Sequence, residues 1–384
     1  MVNALRQGAS QRAVAREFRV SLLTVQRWAA RAGDLPLDAV DWSDRPAGPH
    51  QAPKRTVQEI EDMVLRIRQE LRQESDLGEY GGQAIRGELE ARQVDPVPAV
   101  STIYRILERR GALDGQRRPR RLPPPRGWYL PDVTAGHAEL DEFDFIEDLR
   151  IQGGPLVDVL TVVSLHGGLA GAWPRAGFSA QNVVEDLVAH WRAFGTPTYA
   201  QFDNDTRFQG PHQHPGAIGR VIRLCLGLGI VPVFVPVAEQ GFQAGIEGYN
   251  GLWQAKVWAR FHHESLQALL ERSARYVAAH RRRTRARRES APTRHPFPEP
   301  WTLNLQAPLH GRIIFVRRTS AQGKVTLLGS EFTVTDTWSN RLVRCEVALD
   351  EGFIRFYALR RREPTEQPLL NQVLYQLPRK PFRE

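Results

Sequence analysis

Three acidic residues, far apart in the chain, have the types and settings for chemistry. Asp203 ends the run TYAQFD, Glu247 stands in AGIEGYN, and Asp141 stands in HAELDEFDF. The first run reads as a strand delivering Asp203 at its C-terminal end, the second as the start of a helix, the third as an earlier strand. Carboxylates converging on one point hold hard divalent cations, and no His and Cys spacing suited to zinc is present. Two such ions about 3.5 to 4 Å apart activate a water or hydroxyl and stabilise a leaving oxygen, which is what cutting and joining phosphodiesters requires. The expected cofactor is Mg2+, two ions, with Mn2+ able to substitute. Glu139, Glu142 and Asp144 lie in the same segment as Asp141 and are its rivals. Asn204 is a candidate support, as are Asn250 and Gln254, which fall one and two helical turns beyond Glu247.

The elements that must position these groups read as an alternation of strands and helices over residues 136–263. HAELDEFDFI, PLVDVLTVVSL and GLAGAWPRAG are predicted as consecutive strands turning at Gly153–Gly154 and Gly167–Gly168. A helix capped by Ser179 follows, then the strand into Asp203, a helix around Ile218 to Leu228, the strand IVPVFVP, and the helix carrying Glu247. This order is that of a ribonuclease-H-like α/β layer.

Two all-α units are predicted before it. In residues 1–33, Ser10 and Ser21 are N-caps of short amphipathic helices with Val14 and Phe18, and Val25 and Trp28, on their inner faces. The spacing is that of a helix-turn-helix, whose second helix would offer Thr24, Gln26, Arg27 and Arg31 to a major groove. After a linker, 34–55, residues 56–113 repeat the plan. A long helix with Ile60, Val64, Ile67 and Leu71 on one stripe leads to a last helix capped by Ser101, offering Thr102, Arg105 and Arg109. Residues 114–135 read as a basic, proline-rich linker.

Residues 264–300 form a basic helix and linker with six arginines between Arg281 and Arg288. So many cations are not expected to pair internally, and Arg281, Arg283 and Arg287 are candidate phosphate contacts. Residues 301–384, with KVTLLGSEFTV, RLVRCEVAL and GFIRFYALRRR as strands, are predicted as a small β-barrel contacting DNA or protein. The fold class expected is therefore multidomain: N-terminal helix-turn-helix domains, a central α/β core and a C-terminal barrel.

The bulk properties agree with a polyanionic partner. In 384 residues, 52 Lys and Arg against 43 Asp and Glu give a net charge of +9 and a pI near 10. Two cysteines preclude a disulfide framework, and no apolar run approaches the roughly 18 residues of a membrane span. A cytoplasmic, nucleoid-associated protein with no membrane partner is expected.

These segments together resemble a DDE transposase of a bacterial insertion sequence, of the type with a retroviral-integrase catalytic core. FDNDTRF stands at the family's Asp-Asn-Gly, AGIEGYNGLWQ at its Glu helix, AELDEFDF at its first aspartate, GGQAIRGELE with VSTIYRILERRG at its second helix-turn-helix, and DRPAGPH at its linker. The resemblance covers about residues 4–300. It implies Asp141, Asp203 and Glu247 as the catalytic triad and metal ligands, double-stranded DNA at element ends and targets as substrate, and a homo-oligomer on paired ends. Asp205 departs from the family's Gly, and the separation of 44 positions from Asp203 to Glu247 exceeds its usual gap. A catalytically silent DNA-binding relative and a nuclease that cuts without joining are the competing readings.

Overall fold

The computed structural model describes residues 1–44, 56–113, 127–210, 216–237, 239, 241–361, 363–378 and 382. The linker stretch 45–55 and the basic connector 114–126 lie outside these. The chain divides into two compact units, Met1–Gln58 and Glu59–Glu384.

In the first unit, α1 (Val2–Arg6), α2 (Gln11–Glu17) and α3 (Leu22–Ala32) enclose two small apolar clusters. Ser10 and Ser21 cap α2 and α3, accepting hydrogen bonds from the Ala13 and Thr24 backbone N–H groups. Val14 and Val25 are fully buried, but Phe18 is 45% exposed and does not join Val14 in the core. Residues 34–44 are not linker. Leu37 and Val40 pack with Val2, Ala32 and Trp28, and the Trp42 indole N–H donates to the Leu37 carbonyl, because LPLDAVDW supplies the apolar groups its loop-like flanks conceal.

The second unit begins with α4 (Gln58–Glu74), α5 (Gly82–Ala91) and α6 (Val100–Arg109), closed over Val64, Ile67, Ile85, Leu89, Ile103, Ile106 and Leu107. Ser101 is not the cap of α6. The helix starts at Val100, with Ala99, two residues before Ser101, at the N-cap and making no side-chain bond. Residues 127–135, predicted as linker, are packed: Trp128, Tyr129 and Leu130 are buried ahead of the short α7 (Pro131–Thr134).

The core follows in the predicted order: β1 (Leu140–Arg150), β2 (Leu156–Ser164), β3 (Ala170–Arg175), α8 (Ala180–Phe194), β4 (Tyr199–Phe202), α9 (Thr206–Gln209), α10 (Arg220–Gly227), β5 (Val231–Phe234) and α11 (Ala244–Trp253). Strands β1 to β3 are antiparallel neighbours, and β4 and β5 add in parallel on the other side of β1. This mixed β3-β2-β1-β4-β5 layer fits a ribonuclease-H-like catalytic core. A π-helical turn (Gln254–Trp258), α12 (Leu266–Arg283) and α13 (Arg285–Glu289) come next.

The C-terminal strands do not form a barrel. β6 (Arg312–Arg318) pairs in parallel with β5, and β9 (Leu342–Ala348), β10 (Phe353–Ala358) and β11 (Leu369–Leu374) continue outward to give one nine-stranded sheet. Only β7 (Lys324–Leu327) and β8 (Ser330–Thr333) stand apart, as a hairpin. The physical reason is β5, which is fully apolar on both sides over Pro232 to Phe234 and would otherwise present an open edge. A fragment of residues 136–300 is therefore expected to aggregate on expression. Recovery of that fragment as a soluble protein with a cooperative melt would contradict this explanation.

One face of the sheet buries α8, α10 and the β7–β8 hairpin in a continuous core that includes Phe143, Trp191, Phe202 and Phe315. The opposite face carries Trp128 to Val133, α11 and α12.

Candidate active site

Strand alternation decides which acid of β1 reaches the site. Side chains two apart share a face, so Asp141, Phe143 and Phe145 point one way while Glu142, Asp144 and Ile146 point the other. Phe143 lies in the core beneath α8, and Ile146 packs with Ile246 and Tyr249 of α11. In β4, Gln201 turns to the α11 face, where its amide donates to the Phe242 carbonyl at 2.9 Å. Glu142 is the register partner of Gln201. The same register carried two residues onward brings Asp144 beside Asp203.

Asp141, the predicted first ligand, is on the wrong face. It is fully buried, and Arg294 grips it with two hydrogen bonds of 2.8 Å while the Trp191 indole donates a third at 3.1 Å. Burial alone would raise its pKa, but Arg294 outweighs burial and holds the carboxylate below its ordinary value. Neighbouring His190 is held neutral by burial, its pKa pushed down to about 3. Of the other rivals, Glu139 accepts backbone N–H bonds from Leu140, His166 and Gly167, and Glu142 accepts one from Ile246 at 2.8 Å. That bond to Glu142 fixes the start of α11. Gly245 leaves room for it, since a Cβ there would run into the Glu142 carboxylate and displace that side chain.

Asp144 is the acid of β1 on which both Asp203 and Glu247 act. Its carboxylate accepts a 2.8 Å hydrogen bond from the Asn250 amide, whose oxygen in turn accepts from Thr161 at 2.7 Å. Burial, then the charges of Asp203 and Glu247, push its pKa up to about 6. Asp203 is raised in the same direction, by burial first and by Asp205 and Glu147, against the Asp205 backbone N–H and Arg207. Glu247 stands in the first turn of α11 and is exposed. Asn250 is thus a support for Asp144, whereas Gln254 begins the π-helical turn and is exposed.

Asp205, the departure from the family pattern, is compensated locally. It caps α9 through the Arg207 backbone N–H, and the Arg207 guanidinium donates to it at 2.8 and 2.6 Å while also bonding Glu147. Asn204 is half-buried and held at both ends: its amide donates to the Val235 carbonyl at 2.7 Å and its oxygen accepts from Arg317 of β6 at 2.8 Å. Arg318 and Arg361 both reach Glu239, in the segment leading to α11. The C-terminal strands therefore touch the approaches to both Asp203 and Glu247, a role for which the sequence carried no signal.

Among the described residues, no three His, Cys, Asp or Glu side chains form a ready-made metal-binding group. The donor chemistry nonetheless fits a hard cation. Asp144, Asp203 and Glu247 offer only oxygen, and the pKa values of the first two are raised first by burial and then by neighbouring carboxylates, a setting in which a cation would favour the charged forms.

The candidate DNA contacts separate into open and engaged side chains. Gln26, Arg27 and Arg105 are exposed. Thr24 bonds the Ser21 hydroxyl at 2.8 Å, and Arg31 turns to the Ser43 carbonyl at 2.6 Å and to Asp41. Thr102 is half-buried. Arg109 is paired with the buried Glu61 of α4. The arginine run does find internal partners, contrary to expectation. Arg281 donates to the Ala170 carbonyl at 2.6 Å, Arg287 to the carbonyls of Leu165 and His166, and Arg288 to that of Arg281. Arg283 pairs with Glu79 and Arg285 with Glu289. Backbone carbonyls, which composition does not display, supply most of these acceptors. No helix among the described residues is long and apolar enough to cross a membrane.

No protein-family model matches the chain, and no curated protein matches its sequence. Among solved structures, a chain of the simian T-cell lymphotropic virus intasome in complex with the PP2A regulatory subunit B56 gamma is 13% identical, over 74% of this chain and 91% of that one, with a TM-score of 0.33. The catalytic core domain of BIV integrase is 16% identical over 38% and 82%, with a TM-score of 0.27. That of HTLV-2 integrase, in complex with magnesium, is 12% identical over 40% and 85%, with a TM-score of 0.26. Scores of this size do not establish a shared fold, so the functional assignment rests on the chain's own strands and side chains.

Proposed function

We propose that this chain is a DNA strand-cleaving and strand-joining enzyme of the DDE transposase and integrase type, with Asp144 rather than Asp141 as its first carboxylate. The observation that carries the proposal is that Asp144, rather than Asp141, lies near enough to Asp203 and Glu247 for both charges to act on it. Asp144, Asp203 and Glu247 would hold Mg2+ or Mn2+. Bound there, such ions supply Lewis acidity toward the scissile phosphate and lower the pKa of the attacking hydroxyl. Asn250 keeps Asp144 turned toward the site, and Asn204, held between Val235 and Arg317, fixes the turn that presents Asp203. Glu142, by bonding the Ile246 N–H, sets the helix on which Glu247 rides.

The substrate in this reading is double-stranded DNA bearing element ends, with the exposed Gln26, Arg27 and Arg105 as base or phosphate contacts and a homo-oligomer as the working assembly. With Mg2+ or Mn2+ and an end-bearing duplex, Glu247→Gln is expected to abolish cleavage and joining while DNA affinity stays within about twofold, since a neutral amide is a poor ligand for hard cations. Full cleavage by this variant would refute the assignment. Cleavage without joining by the native chain would favour a nuclease.

A further inference from the structure

We propose that Arg207 is a positioning residue that sets the spacing between Asp144 and Asp203, and with it the size of cation the site accepts. The proposal rests on the proposed DNA-processing function and deepens it by assigning the origin of its metal selectivity.

Backbone pairing between β1 and β4 ends at Glu142 and Gln201, two residues short of both aspartates. Past that point β1 pairs with β2, with an irregular register between Ile146 and Leu149, and Asp203 lies beyond the last residue of β4. The ladder therefore does not fix the gap between the two carboxylates. Arg207 spans it. On one side its guanidinium donates to Asp205 at 2.8 and 2.6 Å, and the Asp205 backbone N–H donates to the Asp203 carboxylate at 3.0 Å. On the other side it lies 3.8 Å from the ring centre of Phe145 and donates to Glu147 at 2.5 Å, so it holds β1 one and three residues beyond Asp144. Asp158 of β2 is 3.9 Å away. Phe145 also stacks on Phe208 at 5.0 Å, but an apolar contact tolerates sliding that a charge-assisted guanidinium fork does not. The Arg207 side chain is 18% exposed, so solvent screens these bonds less than it would on an open surface.

A spacing held from both sides selects among cations. Mg2+ demands near-ideal octahedral oxygens at about 2.0 to 2.1 Å, whereas Ca2+ takes more oxygens at about 2.3 to 2.6 Å in flexible arrangements. A site whose ligands cannot move apart favours the smaller ion, and one released from the clamp loses that preference. The charges of Arg207 and Glu147 act alike on two dications, so they cancel in the ratio of the two affinities and the geometry remains.

The test is calorimetric titration of the full-length, DNA-free protein with MgCl2 and, separately, with CaCl2. Native protein is expected to favour Mg2+. The ratio of Mg2+ to Ca2+ affinity should fall about tenfold in Arg207→Met, which keeps the length of the side chain without its fork, since partners that orient metal ligands are typically worth ten- to a hundredfold. The same fall is expected in Glu147→Ala, which cuts the link to β1 at an acid whose side chain is 53% exposed, so that the fold is kept even where Arg207→Met fails to fold. An unchanged ratio in Glu147→Ala overturns the clamp whatever Arg207→Met does, and so does a native protein that favours Ca2+. A native protein that binds neither ion, or a Glu247→Gln variant that binds both as tightly as the native chain, would instead remove the metal site itself, and the clamp with it.

Discussion

Asp144→Asn is expected to lower strand cleavage by at least about a thousandfold, which corresponds to roughly 4 kcal/mol of transition-state stabilisation. DNA affinity should be unchanged, since the residue lies on the metal side of the proposed site and not among the exposed basic groups. The same variant should melt higher than the native chain in the absence of metal. Burial and the charges of Asp203 and Glu247 bring the folded pKa to about 6, above the ordinary 3.8 of an aspartate. A carboxylic acid with a raised folded pKa is held more firmly as the neutral form in the folded state, so stability falls as pH climbs from about 4 to 6 and stays reduced above that. Two pKa units amount to something on the order of 3 kcal/mol. Asparagine never ionises and escapes this loss. Melting curves at pH 4 and pH 7 with chelator decide the matter: a native and a variant protein with the same pH dependence would mean that Asp144 is not in the cluster.

The opposite pattern is expected of Asp141→Asn. This change leaves the Arg294 guanidinium, only 15% exposed at its side chain, without its counter-charge. Removing one partner of a buried pair costs about 3 to 5 kcal/mol, because the remaining ion keeps its desolvation penalty and loses the attraction that offset it. A fall in melting temperature on the order of 10 °C follows at neutral pH. The sign with pH is also reversed relative to Asp144. Since Arg294 depresses the folded pKa of Asp141, the native pair stabilises above the unfolded carboxylate range and is lost as pH falls below about 4. The double change Asp141→Asn with Arg294→Gln should recover part of the lost stability. If Asp141→Asn melts like the native chain yet fails to cleave DNA, then Asp141 is the metal ligand and Asp144 is not.

These two aspartates also mark where the sequence was legible and where it was not. The strand around them, its place in the order of elements, and the strand ending in Asp203 could be read from alternation and turn residues. The phase of β1 was present as well, because Glu142 and Asp144 alternate with Phe143 and Phe145. Phase alone does not say which helix covers which face, however, and both faces of this sheet are covered. Arg294, the residue that occupies Asp141, sits in the proline-rich stretch SAPTRHPFPEP, whose destination no local pattern reveals. The strands after residue 300 were likewise visible as strands, but their pairing with β5 is a long-range contact. The partners of the arginine run are backbone carbonyls of residues 165–170 and of Arg281, with Glu79 in the loop before α5 and Glu289 of α13 itself, so charge counting overstated its freedom.

The pairing of β5 with β6 bears on the order in which the protein is made. Val233 meets Ile314, and the helices α11 to α13 lie between them in the chain. During synthesis, β1 to β5 leave the ribosome with an apolar edge that no residue yet translated can close. Contacts so far apart in sequence form slowly, and open edges in partly made sheets are where chains associate wrongly. Asn204 waits for Arg317 over the same interval. The Asn204–Arg317 bond beside Asp203 thus forms only after the C-terminal strands have been translated, so a chain truncated before residue 312 is expected to hold the turn bearing Asp203 less firmly.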